Sequence, residues 1–165
     1  PKTPKPLDPE LLFISFIQPI MLSARSRLSR SLLSMQSRNF RAAVLLAGSG
    51  VYDGTECTEA VSLLVALGKH KASVQCFAPN TEQHHVVNHL TGEEMAERRN
   101  VMAESARIAR GEVKAIEQLK AKDFDCLFVP GGFGAAKNLS DFGIKGAEMS
   151  VKEDVSQVLK EFHAN

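Results

Sequence analysis

The chain has 165 residues, 44% hydrophobic and 24% charged, which suits a single globular domain with a real core and excludes a fibrous or low-complexity chain. Its formal charge of +1 hides a division: residues 1–40 carry six Lys/Arg and two Asp/Glu, leaving fourteen basic against seventeen acidic residues from Arg41 onward. A mildly acidic body without a basic stripe argues against nucleic-acid binding. Three cysteines at no metal-ligand spacing read as free thiols in a reducing compartment.

In chain order, residues 1–20 are Pro-rich at the start, and their apolar part, 11–20, is too short to span a bilayer. Met21 reads as the initiator, so the first twenty residues are expected to be a non-native or upstream extension. Residues 21–40, MLSARSRLSRSLLSMQSRNF, contain Arg25, Arg27, Arg30 and Arg38, six serines and no acidic residue, the composition of a mitochondrial transit peptide. Arginines among leucines give a cationic amphipathic helix that the membrane potential draws toward a negatively charged matrix. Arg38-Asn39-Phe40 resembles the Arg-x-Phe end of many presequences. A simple basic tail is the plainer alternative.

The body, residues 41–165, alternates strand and helix patterns. Residues 41–47 (RAAVLLA) read as a buried strand ending at Gly48-Ser49-Gly50, and 55–68 as a helix. Asp53 and Glu56 have capping-box spacing for that helix, and Gly68 is a natural stop. The helix is apolar on most sides and is expected to be heavily covered. A second strand over 73–78 stops at Pro79-Asn80, and 80–92 reads as a long polar loop. Helices are expected over 97–110 and 113–119, a third strand over 126–129 and a last helix over 152–163. This order predicts an α/β fold, a parallel sheet with helices on both faces.

The chemistry concentrates where strands end in glycines. The strand of residues 126–129 runs into Pro130-Gly131-Gly132 and then a helix; Gly131 and Gly132 let the main chain approach a substrate and turn N–H groups toward a developing negative charge. Glu56 and Glu59, three apart in the first turns of the first helix, share a face aimed at the strand ends, where open α/β sheets bind ligands. A carboxylate partly buried there gains a raised pKa and acts as general acid or base. Capping accounts for Glu56 on its own, whereas Glu59, among Ala60, Val61 and Leu63, invites a functional role.

Other clusters read more plainly. Gly48-Ser49-Gly50-Val51-Tyr52-Asp53-Gly54 is GxGxxxG, not GxGxxG, and no acidic residue ends the second strand, so no dinucleotide cofactor is called for. His84, His85 and His89 lack a paired carboxylate or cysteine and read as a solvated loop, not a metal site. Cys76 and Cys126 read as core residues, while Cys57 in a first helical turn is a weak nucleophile candidate. Arg98, Arg99, Arg107 and Arg110 with Glu97 and Glu104 read as an ion-paired helix face, with an anion or partner-subunit site as the alternative.

Four segments, GSGVYDGTE, NHLTGE, RNVMAESARIARGE and PGGFGAAKNLS, in this order and spacing closely resemble the mitochondrial glutamine-amidotransferase-like class I domain proteins and their bacterial glyoxalase relatives, within the PfpI-like superfamily. Relatives more often read SGCG where this chain has Ala47-Gly48-Ser49-Gly50, so any role for that cysteine is lost here. The resemblance, from about residue 41 onward, implies a flavodoxin-like sandwich whose site joins an elbow cysteine, a glutamate matching Glu59 and an oxyanion-hole glycine matching Gly132. It implies thiolate attack on a small carbonyl or amide substrate such as a 2-oxoaldehyde, proton transfer by the glutamate and hydrolysis to a hydroxy acid, with no cofactor.

The superfamily's elbow cysteine normally follows a segment like LKEFH, where this chain ends, so the resemblance implies a sheet incomplete on its C-terminal side. The expectation is that this polypeptide alone is inactive and poorly folded, with an unpaired apolar edge beside residues 126–129. Two readings stay open: a matrix glyoxalase-like or amidase-like hydrolase, and a non-catalytic protein of mitochondrial maintenance acting through binding. Neither calls for nucleic acid or for a membrane after import, and a homo-oligomer is left open.

Overall fold

The computed structural model describes residues 39–164. The expected extension over residues 1–20 lies outside them, as does the expected leader apart from Asn39 and Phe40.

Residues 42–46 are apolar without a break, a pattern that suits a strand buried on both faces. They form most of β1 (Arg41–Leu45), which β2 (Ser73–Ala78), β5 (Val113–Ala115) and β6 (Cys126–Phe128) join in one sheet of order β5-β2-β1-β6, all parallel. In register, Val44 lies beside Cys76 on one side and Phe128 on the other. Side chains alternate between the faces. Ala43 and Leu45, with Phe77 and Leu127, pack with Val155 and Val158 of α5 (Glu153–Ala164) and with Ile116 and Leu119. Ala42, Val44 and Leu46, with Cys76 and Ala78, pack with Ala60 and Leu67 of α1 (Cys57–Lys69) and Val101 of α2 (Val101–Ala109). Helices therefore cover both faces, as expected for a flavodoxin-like α/β protein. Two short helices, α3 (Phe133–Lys137) and α4 (Phe142–Lys145), link β6 to α5.

Several local expectations give way to tertiary contacts. The helix expected over 113–119 is β5 followed by a 3-10 turn, Ile116–Gln118, because Val113 and Ala115 pair beside Cys76 and Ala78. The polar loop contains β3 (Val86–Val87), paired antiparallel with β4 (Glu94–Met95); two-residue strands leave no period to read. The helix expected from residue 97 starts later, capped by the Asn100 carboxamide, which accepts from Ala103 N at 3.0 Å. Gly68 does not stop α1, which continues to Lys69 and turns at Lys71, φ 56°.

The helix α1 is also less covered than its apolar sequence suggests. Val61 and Val65 are 48% and 52% exposed, and nothing among the described residues lies over them. Among the described residues β6 is the last strand on its side of the sheet, and Cys126, Leu127 and Phe128 are each only half-buried.

Candidate active site

After β1 the chain goes to β2 and β5 on one side, then returns to place β6 on the other. The strand order thus reverses between β1 and β6, and the place past their carboxyl ends is the crevice position at which open α/β sheets take their ligands. One wall is the segment 46–56 leading from β1 into α1. The other is Pro130-Gly131-Gly132, between β6 and α3.

The first wall is held by buried polar groups. Thr55 Oγ1 accepts from Ala47 N at 2.7 Å, and Ser105 Oγ of α2 accepts from Gly48 N at 2.9 Å. The Asn138 carboxamide donates to Ala47 O and Asp53 O, both at 2.9 Å, and accepts from His84 N at 3.0 Å. Asp53 accepts from Val87 N at 2.8 Å and is buried. These groups satisfy main-chain amides and carbonyls that a buried turn would otherwise leave unpaired. The expected Asp53–Glu56 capping box is not formed: Glu56 itself caps α1, accepting from Glu59 N at 2.6 Å, while Asp53 ties down β3.

The second wall docks on the first. Glu56 N donates to Gly131 O at 2.8 Å, Phe133 N to Val51 O at 2.8 Å and Gly134 N to Gly54 O at 2.8 Å. Gly132 has φ 103°, and a side chain there would run into the main chain of residues 54–56, so glycine is required on both counts. Against Gly131 lies the Glu59 carboxylate, whose Oε2 accepts from Gly131 N at 2.7 Å. The acid and the diglycine turn, 72 residues apart in sequence, are therefore in direct contact. Among the described residues the Gly132 N–H meets no acceptor.

Three electrostatic details refine the sequence reading. The amide of Glu59, and then that of Thr58, hold the Glu56 carboxyl below its ordinary range, the reverse of the rise expected for a carboxylate at the strand ends. Glu59 is exposed rather than partly buried. Burial pushes up the Cys76 thiol, and burial with the Asp125 charge pushes up Cys126, as suits core residues. Cys57 Sγ lies 3.4 Å from Ser49 Oγ and donates to Thr55 O at 3.8 Å.

The other sequence clusters separate. His84 and His89 are exposed and lie outside helices and strands, as expected, although the His89 ring stacks on Tyr52 with centroids 5.0 Å apart; His85 is partly buried, its Nε2 3.0 Å from Lys137 Nζ. Among the described residues no group of His, Cys, Asp and Glu is placed to hold a metal ion. Arg107 and Arg99 pair with the buried Glu104, and Arg98 with Glu82. Arg98 and Arg99 precede α2 and so are not on its face. Sequence reasoning missed Thr55, Ser105 and Asn138. Asn138 carried the one readable signal, a carboxamide directly before Leu139 within the PGGFGAAKNLS segment.

A doubly wound parallel sheet with a helix-borne carboxylate on a diglycine turn at its reversal point defines a flavodoxin-like, amidotransferase-like α/β protein. Comparison with known proteins sharpens this. No family model matches the chain. It is 52% identical over 74% of its length to the rat (Rattus norvegicus) ES1 protein homolog, mitochondrial, and 49% identical over 79% of its length to the human (Homo sapiens) glutamine amidotransferase-like class 1 domain-containing protein 3, mitochondrial. These matches cover 47% and 49% of the relatives, so the chain spans about half the length of the curated proteins it resembles. A crystal structure of an isoprenoid biosynthesis protein with amidotransferase-like domain from Ehrlichia chaffeensis aligns with TM-score 0.73 and 42% identity, covering 76% of this chain and 59% of that one. The chain belongs to the mitochondrial glutamine amidotransferase-like class 1 (ES1) family. Its relatives' names also support a mitochondrial location.

Proposed function

We propose that this chain contributes the acid and amide half of a cofactor-independent site in the mitochondrial matrix, acting on a small carbonyl compound such as a 2-oxoaldehyde, or on an amide. The observation that supports this most is the 2.7 Å hydrogen bond from Gly131 N to Glu59 Oε2 at the strand-order reversal. Gly131 spends its N–H on the carboxylate and so orients Glu59, which leaves the Gly132 N–H to receive charge developing on the substrate oxygen. Glu59, open to the crevice, would carry a proton between adjacent carbons once a thiolate has added to the carbonyl. Glu56, ionised and committed to its cap, positions the start of α1. The thiol would come from chain present in the longer relatives.

A binding role in mitochondrial maintenance is the second reading. Glu59→Gln in the relative-length protein separates the two. The enzyme reading expects methylglyoxal conversion to lactate to fall about 100-fold or more, the scale of a lost general acid or base. Unchanged turnover removes Glu59 from the chemistry, and absence of turnover in the parent favours the binding role.

A further inference from the structure

Lys137, the last residue of α3, is half-buried and takes no part in the site above. Its Nζ donates to Tyr52 O at 2.9 Å and lies 3.0 Å from His85 Nε2, and it sits over the Phe133 ring, 4.9 Å from the centroid. His85 Nδ1 in turn faces Glu94 Oε2 at 3.6 Å. These contacts define a tautomer: the proton on Nδ1 points to the Glu94 carboxylate, and Nε2 accepts from the lysine. An ammonium group has three N–H donors, and the protein uses two of them.

The lysine stands at the polar end of a cleft of about 460 Å³ walled by Tyr52, Val87 and Phe133. None of Glu56, Glu59, Gly131 or Gly132 lines it. The Tyr52 ring is held in place from behind by the stacked His89, whose Nε2 accepts from Tyr52 N at 3.2 Å. The cleft thus combines two aromatic rings, an aliphatic wall and a cation with a spare donor. Glu94 opposes an anion, but its side chain is 68% exposed and its nearest oxygen is turned to His85, so water screens its charge.

We propose that this cleft binds a small monocarboxylate with an apolar body, its carboxylate on Lys137 Nζ and its hydrocarbon between Tyr52, Phe133 and Val87. The volume suits an acid of this size, and the pairing of a flat apolar slot with one positive group is what such a ligand requires. This does not depend on the reading of Glu59 and Gly132.

Tyr52 is the chain's single tyrosine and there is no tryptophan, so intrinsic fluorescence reports on this cleft alone. The 165-residue chain is titrated with 4-methylpentanoate and with its uncharged isostere 4-methylpentanamide. The acid is expected to change Tyr52 emission saturably, and the amide to bind about tenfold or more weakly, as for loss of a charge-assisted hydrogen bond. Lys137→Met is expected to bring acid affinity down to that of the amide, while Lys137→Arg, which keeps the charge and the fold, retains it. No saturable change with millimolar acid, equal affinity for acid and amide, or undiminished acid binding in Lys137→Met alongside a normal melt would each overturn the proposal.

Discussion

The two walls of the crevice are built on different principles. The wall after β1 is a turn of residues 47–55 whose main-chain groups are taken up by side chains from other elements: Asn138 near α3, Ser105 on α2 and Thr55 at its own end. The wall after β6 is held by main-chain contacts to its neighbour, by the absence of side chains at Gly131 and Gly132, and by one carboxylate; its flanks, Val129 and Phe133, are 42% and 52% exposed. The difference teaches where order comes from. The turn after β1 recruits buried polar partners from several directions, whereas among the described residues the turn after β6 has a neighbour on one side and depends on shape.

That contrast can be broken most sharply at the joint between the walls. Gly132→Ala combines a positive φ with overlap against the main chain of residues 54–56, and is expected to destabilise the domain by about 3 kcal/mol or more in urea melts. A loss under about 1 kcal/mol would show that the second wall moves freely from the first. Asn138→Ala acts on the ordered wall, where it orphans Ala47 O and His84 N and leaves Asp53 O with only the longer bond from Gln83 Nε2, and should cost about 2–4 kcal/mol by the same measurement. Thr55→Val keeps the shape but leaves Ala47 N without its acceptor, for about 1–2 kcal/mol. In the 165-residue chain, Val129→Lys is expected to shift stability by no more than about 0.5 kcal/mol while lowering light scattering at high concentration, because Val129 is 42% exposed there and a lysine is readily solvated.

The smallest expected effect concerns the segment after α3. Asp141 accepts from Lys145 Nζ at 2.6 Å and from Ser150 N and Oγ, and the Lys145 partner, then the Ser150 amide, lower its carboxyl to about 2. Because the folded carboxyl lies below its ordinary value of 3.8, the tether is fully formed above that value and is lost as pH falls from about 4 through about 2. Amide shifts of Ser150 should titrate in that window, and Asp141→Asn should abolish the titration. Midpoints near 4 in the parent would show that the tether does not form in solution.

The family, the alternation of strand and helix, and the presence of glycines at the strand ends and of an acid on the first helix were all legible in the sequence. Apolar runs of strand length and glycines at their ends are local patterns, and a motif such as PGGFGAAKNLS is carried whole by neighbouring residues. Caps and short strands were not legible in the same way. Asp53 and Glu56 have the spacing of a capping box, yet Asp53 turns to Val87, a partner 34 residues away that no local rule supplies. The segment 113–119 has helical composition, yet pairing beside β2 makes part of it a strand. His85 looked like one polar loop residue among several until Lys137, 52 positions later, was brought to its ring.

Residue order alone therefore specifies a parallel α/β domain of the ES1 family with a glycine-lined strand end and an acid on the first helix, because hydrophobic period and backbone permissiveness are properties of neighbours along the chain. Only the folded arrangement decides that Gly131 spends its amide on Glu59, that Asn138 holds the opposite wall and that Lys137 keeps a donor free at an aromatic cleft. Those outcomes depend on which groups compete for the same hydrogen bonds in space, and that competition is set by long-range packing.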